Sequence, residues 1–234
     1  MNRCNLRRAA AHFADRRKLL CGAMAKITVI DNASDDAIAA WLHGRLRGAL
    51  ERASGEIAIT VPGGSTPFPI LAELAKTGLD FADLDFKRIA VWPGDDRIVD
   101  EAHPASNVGR VRSLLEPTGA RVVPLREGAA PPHFALSWLG MGGDGHIASL
   151  FPNTDPRADD PLPLRRLTPD PLPPEAPFDR LSLTIPALLN SEELLFVIRG
   201  PDKRAIFDAA ARGTNDLPIA RLLGAAHQAV TCFN

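Results

Sequence analysis

Short β-branched runs alternate with stretches of helical periodicity along most of this 234-residue chain. Few folds accept that order. Strands are expected at residues 26–30, 56–61, 88–92, 121–125, 134–139, 180–185, 193–199 and 227–232. Between the first two, Ile38, Trp41, Leu42, Leu46, Ala49 and Leu50 recur at helical spacing, and Asn32 or Ser34 is placed to cap that helix. Residues 68–76, 107–115, 202–211 and 218–223 read as further helices. Strands alternating with helices predict an α/β fold with a mostly parallel sheet and helices on both faces. The length suits a single domain with a substantial core.

Composition removes several classes. With 45% hydrophobic and 24% charged residues the chain is neither collagen-like nor disordered. No run of about 18 apolar residues occurs, so no membrane partner is expected. A net charge of −1 leaves no electrostatic footprint for nucleic acid. Cys4, Cys21 and Cys232 are scattered and odd in number, which fits thiols in a reducing cytoplasmic setting better than a disulfide framework.

Two segments stand apart. Residues 1–18 hold six basic side chains against Asp15 alone. This stretch lacks the apolar core of a secretory signal, and it lacks the serines of an organellar transit peptide. Met24 opens a run that reads as the natural start of the first strand. Residues 1–23 are therefore expected to be an unstructured leader or a misassigned start, with a transit peptide and a basic arm as the alternatives, and residues 24–234 to be the domain. Residues 152–177 contain nine prolines. They read either as a linker or, because so little chain follows, as a long loop wrapped on the domain.

Two loops carry chemistry. The second strand runs into Pro62-Gly63-Gly64-Ser65-Thr66-Pro67 and then a helix. Glycines let backbone N–H groups turn toward an anion, two hydroxyls add donors, and a helix N-terminus adds positive potential. The same residues could serve only as a capped turn. They are not a Walker loop, for no Lys precedes the hydroxyls. The strand at 134–139 leads into Gly140-Met141-Gly142-Gly143-Asp144-Gly145-His146. Its glycine spacing matches a dinucleotide fingerprint only formally, because a proline-rich stretch follows in place of a long helix. Asp144 and His146 are the more informative pair, since a carboxylate can orient an imidazole that acts as a base. A triad through Ser149 lacks a nucleophile elbow, and the six dispersed histidines suggest no metal site. Asp95-Asp96-Arg97 and Arg199-Gly200-Pro201-Asp202-Lys203 each follow a strand, at the end where open α/β sheets bind ligands.

In order and spacing these segments resemble the 6-phosphogluconolactonase family. The resemblance runs from about residue 26 to the C-terminus and rests on GGSTP at 63–67, DDRIVDEAHPASN at 95–107, DGHIASLFP at 144–152 and the segment 180–203. It implies a Rossmann-like domain, no metal or cofactor, and hydrolysis of a sugar-phosphate lactone, 6-phosphogluconolactone, in the oxidative pentose phosphate pathway. His146 is expected as general base and Asp144 as its orienting partner. Ser65, Thr66, the Gly63–Gly64 backbone, Lys203 and Arg199 are expected on the phosphate, Arg97 on phosphate or oxyanion, and Asp95 and Asn107 on substrate hydroxyls. The related glucosamine-6-phosphate deaminases resemble this chain too, but there a Phe-Asn-Glu-Pro run after the DGH supplies a catalytic Glu. Ser149-Leu150-Phe151-Pro152 stands here instead. A non-catalytic sugar-phosphate sensor is the other alternative. The family usually has Glu where Asp96 stands and Pro where Asp100 stands. It also has a helix between the strands at 121–125 and 134–139, where this chain has only residues 126–133. A parallel crossover needs about 10–12 residues. Either those two strands are not parallel neighbours, or 121–125 is loop.

Overall fold

Seven parallel strands form the main sheet in the order β1-β10-β9-β6-β2-β3-β5. In this computed structural model they are β1 (Ile27–Ile30), β2 (Ile57–Val61), β3 (Ile89–Pro93), β5 (Arg121–Val122), β6 (Leu136–Leu139), β9 (Glu193–Val197) and β10 (Ala229–Phe233). A small antiparallel sheet, β4-β8-β7, joins β4 (Asp95–Arg97), β7 (Leu164–Leu167) and β8 (Arg180–Leu183). The helices are α1 (Asp35–Arg52), α2 (Pro67–Phe81), α3 (Asn107–Leu115), α4 (Ile185–Leu189), α5 (Pro201–Ala211) and α6 (Pro218–Ala225). The structure describes residues 25–81, 83–172, 174 and 177–234. The expected leader lies outside the described residues.

Burial on both faces explains why the central strands read as continuous apolar runs. In β2, Ile57, Ile59 and Val61 enter the core that α1, α2 and α3 cover, while Ala58 enters the core beneath α4, α5 and α6. In β9, Leu195 and Val197 face the first core, and Leu194 and Phe196 the second. Helix α1 starts at Ser34, whose Oγ accepts the Ala37 N–H at 3.2 Å. It buries Ile38, Leu42, Leu46, Ala49 and Leu50, the expected stripe, whereas Trp41 is half-buried and packs edge-on against Phe233 at 5.6 Å. Truncating one such buried leucine to Ala costs about 2–5 kcal/mol. Cys232 is fully buried on β10, and burial pushes its thiol up to about 12. Among the described residues no helix is long and apolar enough to cross a membrane.

Two local expectations are corrected, and two stated alternatives are decided. Residues 95–97, where no strand was expected, form β4, and β8 pairs with them rather than joining the main sheet. The proline-rich segment is the loop wrapped on the domain and not a linker, and within it lies an unexpected strand, β7, which pairs with β8 over Leu164–Leu183 to Leu167–Arg180. Only Arg121 and Val122 of the fourth expected strand pair, against β3 at the sheet edge. Since β2 and β3 lie between β5 and β6, those two are not parallel neighbours, and no crossover helix is required between them.

The strand order reverses between β2 and β6. The chain leaves β2 toward β3 and β5, and leaves β6 toward β9, β10 and β1. A crevice opens where connections diverge in this way, at the carboxyl ends of the strands. Both glycine loops of the sequence emerge there.

Candidate active site

The carboxyl ends of β9, β6, β2 and β3, roofed by the small sheet, enclose a cleft of about 280 Å³. Its lining includes Gly63, Gly64, Ser65, Thr66, Asp95, Arg97, Asn107, His146, Phe151, Arg180 and Lys203. Residues dispersed over more than a hundred positions thus share one space.

The loop after β6 closes on itself. The Gly142 N–H donates to the His146 carbonyl at 2.9 Å, and the Gly145 N–H to the Gly142 carbonyl at 3.1 Å. Gly145 has φ +77°, a left-handed conformation that glycine adopts without strain. The Ile219 N–H at the start of α6 donates to the Gly145 carbonyl at 3.2 Å and anchors the turn. This geometry brings Asp144 Oδ1 to 2.6 Å from His146 Nδ1 and 3.1 Å from the His146 backbone N–H. Burial raises the Asp144 carboxyl, but the imidazole and these hydrogen bonds outweigh it and hold the group below its ordinary value. An ionised carboxylate has no hydrogen to give, so Nδ1 carries the proton and Nε2 presents its lone pair. The imidazole leans on the Phe151 ring, with centroids 4.6 Å apart and planes at 44°.

The loop after β2 supplies donors. Gly64 has φ +88°, and Gly63 has no room for a side chain, because the Asn107 amide stands 2.2 Å from where its Cβ would be. Among the described residues neither the Ser65 nor the Thr66 hydroxyl makes a hydrogen bond, so no side-chain cap is seen here. Lys203 lies half-buried in the first turn of α5 and carries no ion pair among the described residues. A cation there opposes the helix dipole, and an anion in the cleft would offset that.

The β4 side is a hydrogen-bonded wall. Asp95 Oδ2 accepts the Ser149 hydroxyl at 2.5 Å, and its carbonyl accepts Asn107 Nδ2 at 2.9 Å. Both Asp95 and Asn107 are buried, and both are tied into the frame of the cleft. Asp96 turns the other way and accepts backbone N–H groups of Arg97, Asn107 and Val108, fixing the start of α3. Burial raises the Asp96 carboxyl despite those donors, and the charge of Asp95 adds to the rise. Arg97 donates to the Ala105 carbonyl at 2.8 Å.

Arg199 is not brought to the cleft. Its guanidinium pairs with Asp35 at 2.8 Å, in the first turn of α1, because the chain turns at Gly200 before α5 begins. His103 packs edge-on against Phe178 at 5.2 Å, away from the cleft. Arg180 and Phe151 also line the cleft, and the sequence reading gave them no role. Arg180 faces Arg97 across β4–β8, and its only sequence signal was a strand whose partner could not be read. Among the described residues no three His, Cys, Asp or Glu side chains gather where a metal could sit.

A family model described as glucosamine-6-phosphate isomerases/6-phosphogluconolactonase matches residues 31–131 and 120–232. A 6-phosphogluconolactonase of Neisseria meningitidis is 32% identical over 228 residues, covering 86% of this chain and 94% of its own. By structure, a 6-phosphogluconolactonase of Thermotoga maritima superposes with a TM-score of 0.73 at 21% identity, over 89% of this chain and 98% of its own. A monomeric glucosamine-6-phosphate deaminase superposes almost as well, with a TM-score of 0.71 at 15% identity, over 88% and 96%. The fold alone therefore does not separate the two chemistries; the cleft must.

Proposed function

The chain belongs to the glucosamine-6-phosphate isomerase/6-phosphogluconolactonase family, and from that premise we propose that it hydrolyses 6-phosphogluconolactone to 6-phosphogluconate, a step of the oxidative pentose phosphate pathway. The observation that carries the reading is the Asp144–His146 pair, whose imidazole lines a cleft that also holds Lys203 and the hydroxyls of Ser65 and Thr66.

A δ-lactone is an activated ester, so water needs a base and the developing oxyanion needs positive charge, but no covalent nucleophile is required. His146 Nε2 takes a proton as water adds to the lactone carbonyl carbon. The tetrahedral intermediate collapses with cleavage of the bond to the ring oxygen, and the imidazolium returns the proton to that oxygen. Asp144 holds the ring in one tautomer and stabilises the imidazolium while it lasts. Ser65, Thr66, the Gly63–Gly64 backbone and Lys203 hold the phosphate and thereby set the lactone against the base. Asp95 and Asn107 shape the wall along the sugar hydroxyls.

The deaminase chemistry is less well supported. Residues 147–152 carry no carboxylate; Ser149 is buried on Asp95, and Phe151 lies beneath the imidazole. The test is acid release from freshly prepared 6-phosphogluconolactone, titrated at constant pH against the spontaneous rate. Acceleration proportional to protein concentration is expected. No acceleration at any concentration removes the reading, and ammonia released from glucosamine 6-phosphate would establish the other one.

A further inference from the structure

Ser149 follows His146 in the same loop and takes no part in the reaction steps above. It is nevertheless wholly buried, and both of its hydrogen-bond donors go to the small sheet. Its backbone N–H donates to Ser182 Oγ at 3.2 Å, and its hydroxyl donates to Asp95 Oδ2 at 2.5 Å. Asp95 and Ser182 stand directly opposite each other in the β4–β8 register. Ser182 donates its own hydroxyl to the Leu183 carbonyl at 3.0 Å, so its oxygen meets the Ser149 N–H as an acceptor. Ser149 therefore ties the loop that carries His146 to both of these strands.

The tie holds a turn that would not form freely. Ala148 has φ +49°, a left-handed conformation that a residue with a Cβ adopts only where its surroundings impose it. The Leu150 N–H closes this turn on the Ile147 carbonyl at 2.9 Å, and Ile147 and Leu150 are both buried. Ala148 and Asp95 line the cleft, whereas Ser149 stands behind them. Among the described residues the Ser149 hydroxyl is the one hydrogen-bond donor to the Asp95 carboxyl. With Oδ2 taken, Oδ1 is the oxygen left to accept a hydroxyl in the cleft.

We propose that Ser149 is a positioning residue: by holding Asp95 Oδ2 it aims Oδ1 at a hydroxyl of the sugar, and it sets that acceptor and His146 in one frame. The inference rests on the lactonase reading. Ser149 touches neither the water nor the lactone, and no bond to it forms or breaks. It acts through Asp95, on the alignment of the lactone with the base.

The test is a double-mutant cycle of wild type, Ser149→Ala, Asp95→Ala and the double variant on 6-phosphogluconolactone, with inorganic phosphate as inhibitor. Ser149→Ala is expected to lower kcat/KM about tenfold or more where Asp95 is present, and less than about twofold where it is absent. The phosphate inhibition constant should stay within about twofold throughout, because the phosphate donors belong to the loop after β2 and to α5. Equal losses in the two backgrounds, or a phosphate constant raised by Ser149→Ala, assign Ser149 to the fold alone and overturn the proposal. Unchanged kcat/KM in Ser149→Ala overturns it outright. Melting temperatures identify a variant that fails to fold; Ser149→Cys, which keeps the volume but only a weak donor, then carries the same comparison. If wild type does not hydrolyse the lactone, the lactonase reading falls. In that case, or if Asp95→Ala leaves no rate above the spontaneous blank, calorimetric binding of 6-phosphogluconate to the same four proteins decides the role by itself. Binding weakened by Ser149→Ala only where Asp95 is present supports it; no binding, unchanged binding or an equal loss in both backgrounds overturns it.

Discussion

The imidazole of His146 occupies the place where a side chain on Gly142 would stand: a Cβ there would lie 2.2 Å from the ring atoms Cε1 and Nδ1, and 2.6 Å from Asp144 Oδ1. Backbone and dyad are packed together, so the glycine is needed for space and not for a turn. Gly142→Ala should displace the dyad and lower kcat by at least about tenfold, since small misplacements of a reacting group are expensive. The fold should persist, because the loop has solvent to move into; circular dichroism and steady-state kinetics on the same sample check both halves.

His146→Ala removes the base itself. The expected loss in kcat is roughly 10²–10⁴, with KM little changed. Retention of most of kcat, measured above the spontaneous blank, would remove His146 from the role.

Asp144 and Asp96 respond to acid with opposite sign. Asp144 is held below its ordinary value, so its share of stability is present above the unfolded carboxylate pKa of about 3.9 and is lost as pH falls through the lower folded value. Asp96 is raised by burial, so its share is present below about 3.9 and is lost as pH rises through the higher folded value. Melting temperatures of Asp144→Asn and Asp96→Asn across the acid range should therefore diverge from wild type in opposite directions. The gap for Asp144→Asn closes on acidification, and the gap for Asp96→Asn widens. Parallel curves would show that neither shift exists.

At neutral pH Asp96→Asn should also destabilise the protein by about 1–3 kcal/mol. Its carboxylate accepts backbone N–H groups of Arg97, Asn107 and Val108, and an amide nitrogen in place of one oxygen can accept none of them. Since Asn107 and Arg97 both start from this anchor, kcat should fall as well. Chemical denaturation measures the first effect and turnover the second.

The main sheet and both loops were legible because each rests on local chemistry. Ile57–Val61 is buried at every position and apolar at all but Thr60, as suits a strand covered on both faces, and the glycines at 64 and 145 mark where the backbone turns. What stayed hidden depended on pairing between distant segments. The polar run Asp95–Arg97 has no strand signature, and Leu164–Leu167 lies among prolines; each becomes a strand only against β8. With that pairing unread, Arg180 could not be seen opposite Arg97. Arg199 misled for a related reason. Its position after a late strand pointed to the cleft, but the Asp35 carboxylate lies nearer, on a helix whose approach no local pattern records.

Lys203 gives the sharpest test of how the cleft divides its work. It is a half-buried cation in the first turn of α5, where the helix dipole disfavours it, and among the described residues no carboxylate compensates it. A phosphate would supply the missing charge and also engage Ser65 and Thr66, whose hydroxyls are unengaged. Lys203→Ala removes a charge-assisted hydrogen bond of about 1.5–3 kcal/mol, so KM for 6-phosphogluconolactone should rise by roughly ten- to a hundredfold. Ser65→Ala should act in the same direction and more weakly. The chemistry lies elsewhere in the cleft, so kcat should change far less than KM. With unphosphorylated δ-gluconolactone there is no phosphate to lose, so wild type and Lys203→Ala should perform alike, both poorly. Steady-state kinetics on the two lactones measure the four numbers. If Lys203→Ala lowers kcat/KM by the same factor on both, Lys203 serves the lactone ring and not the phosphate, and the β2 loop would have to hold the phosphate alone.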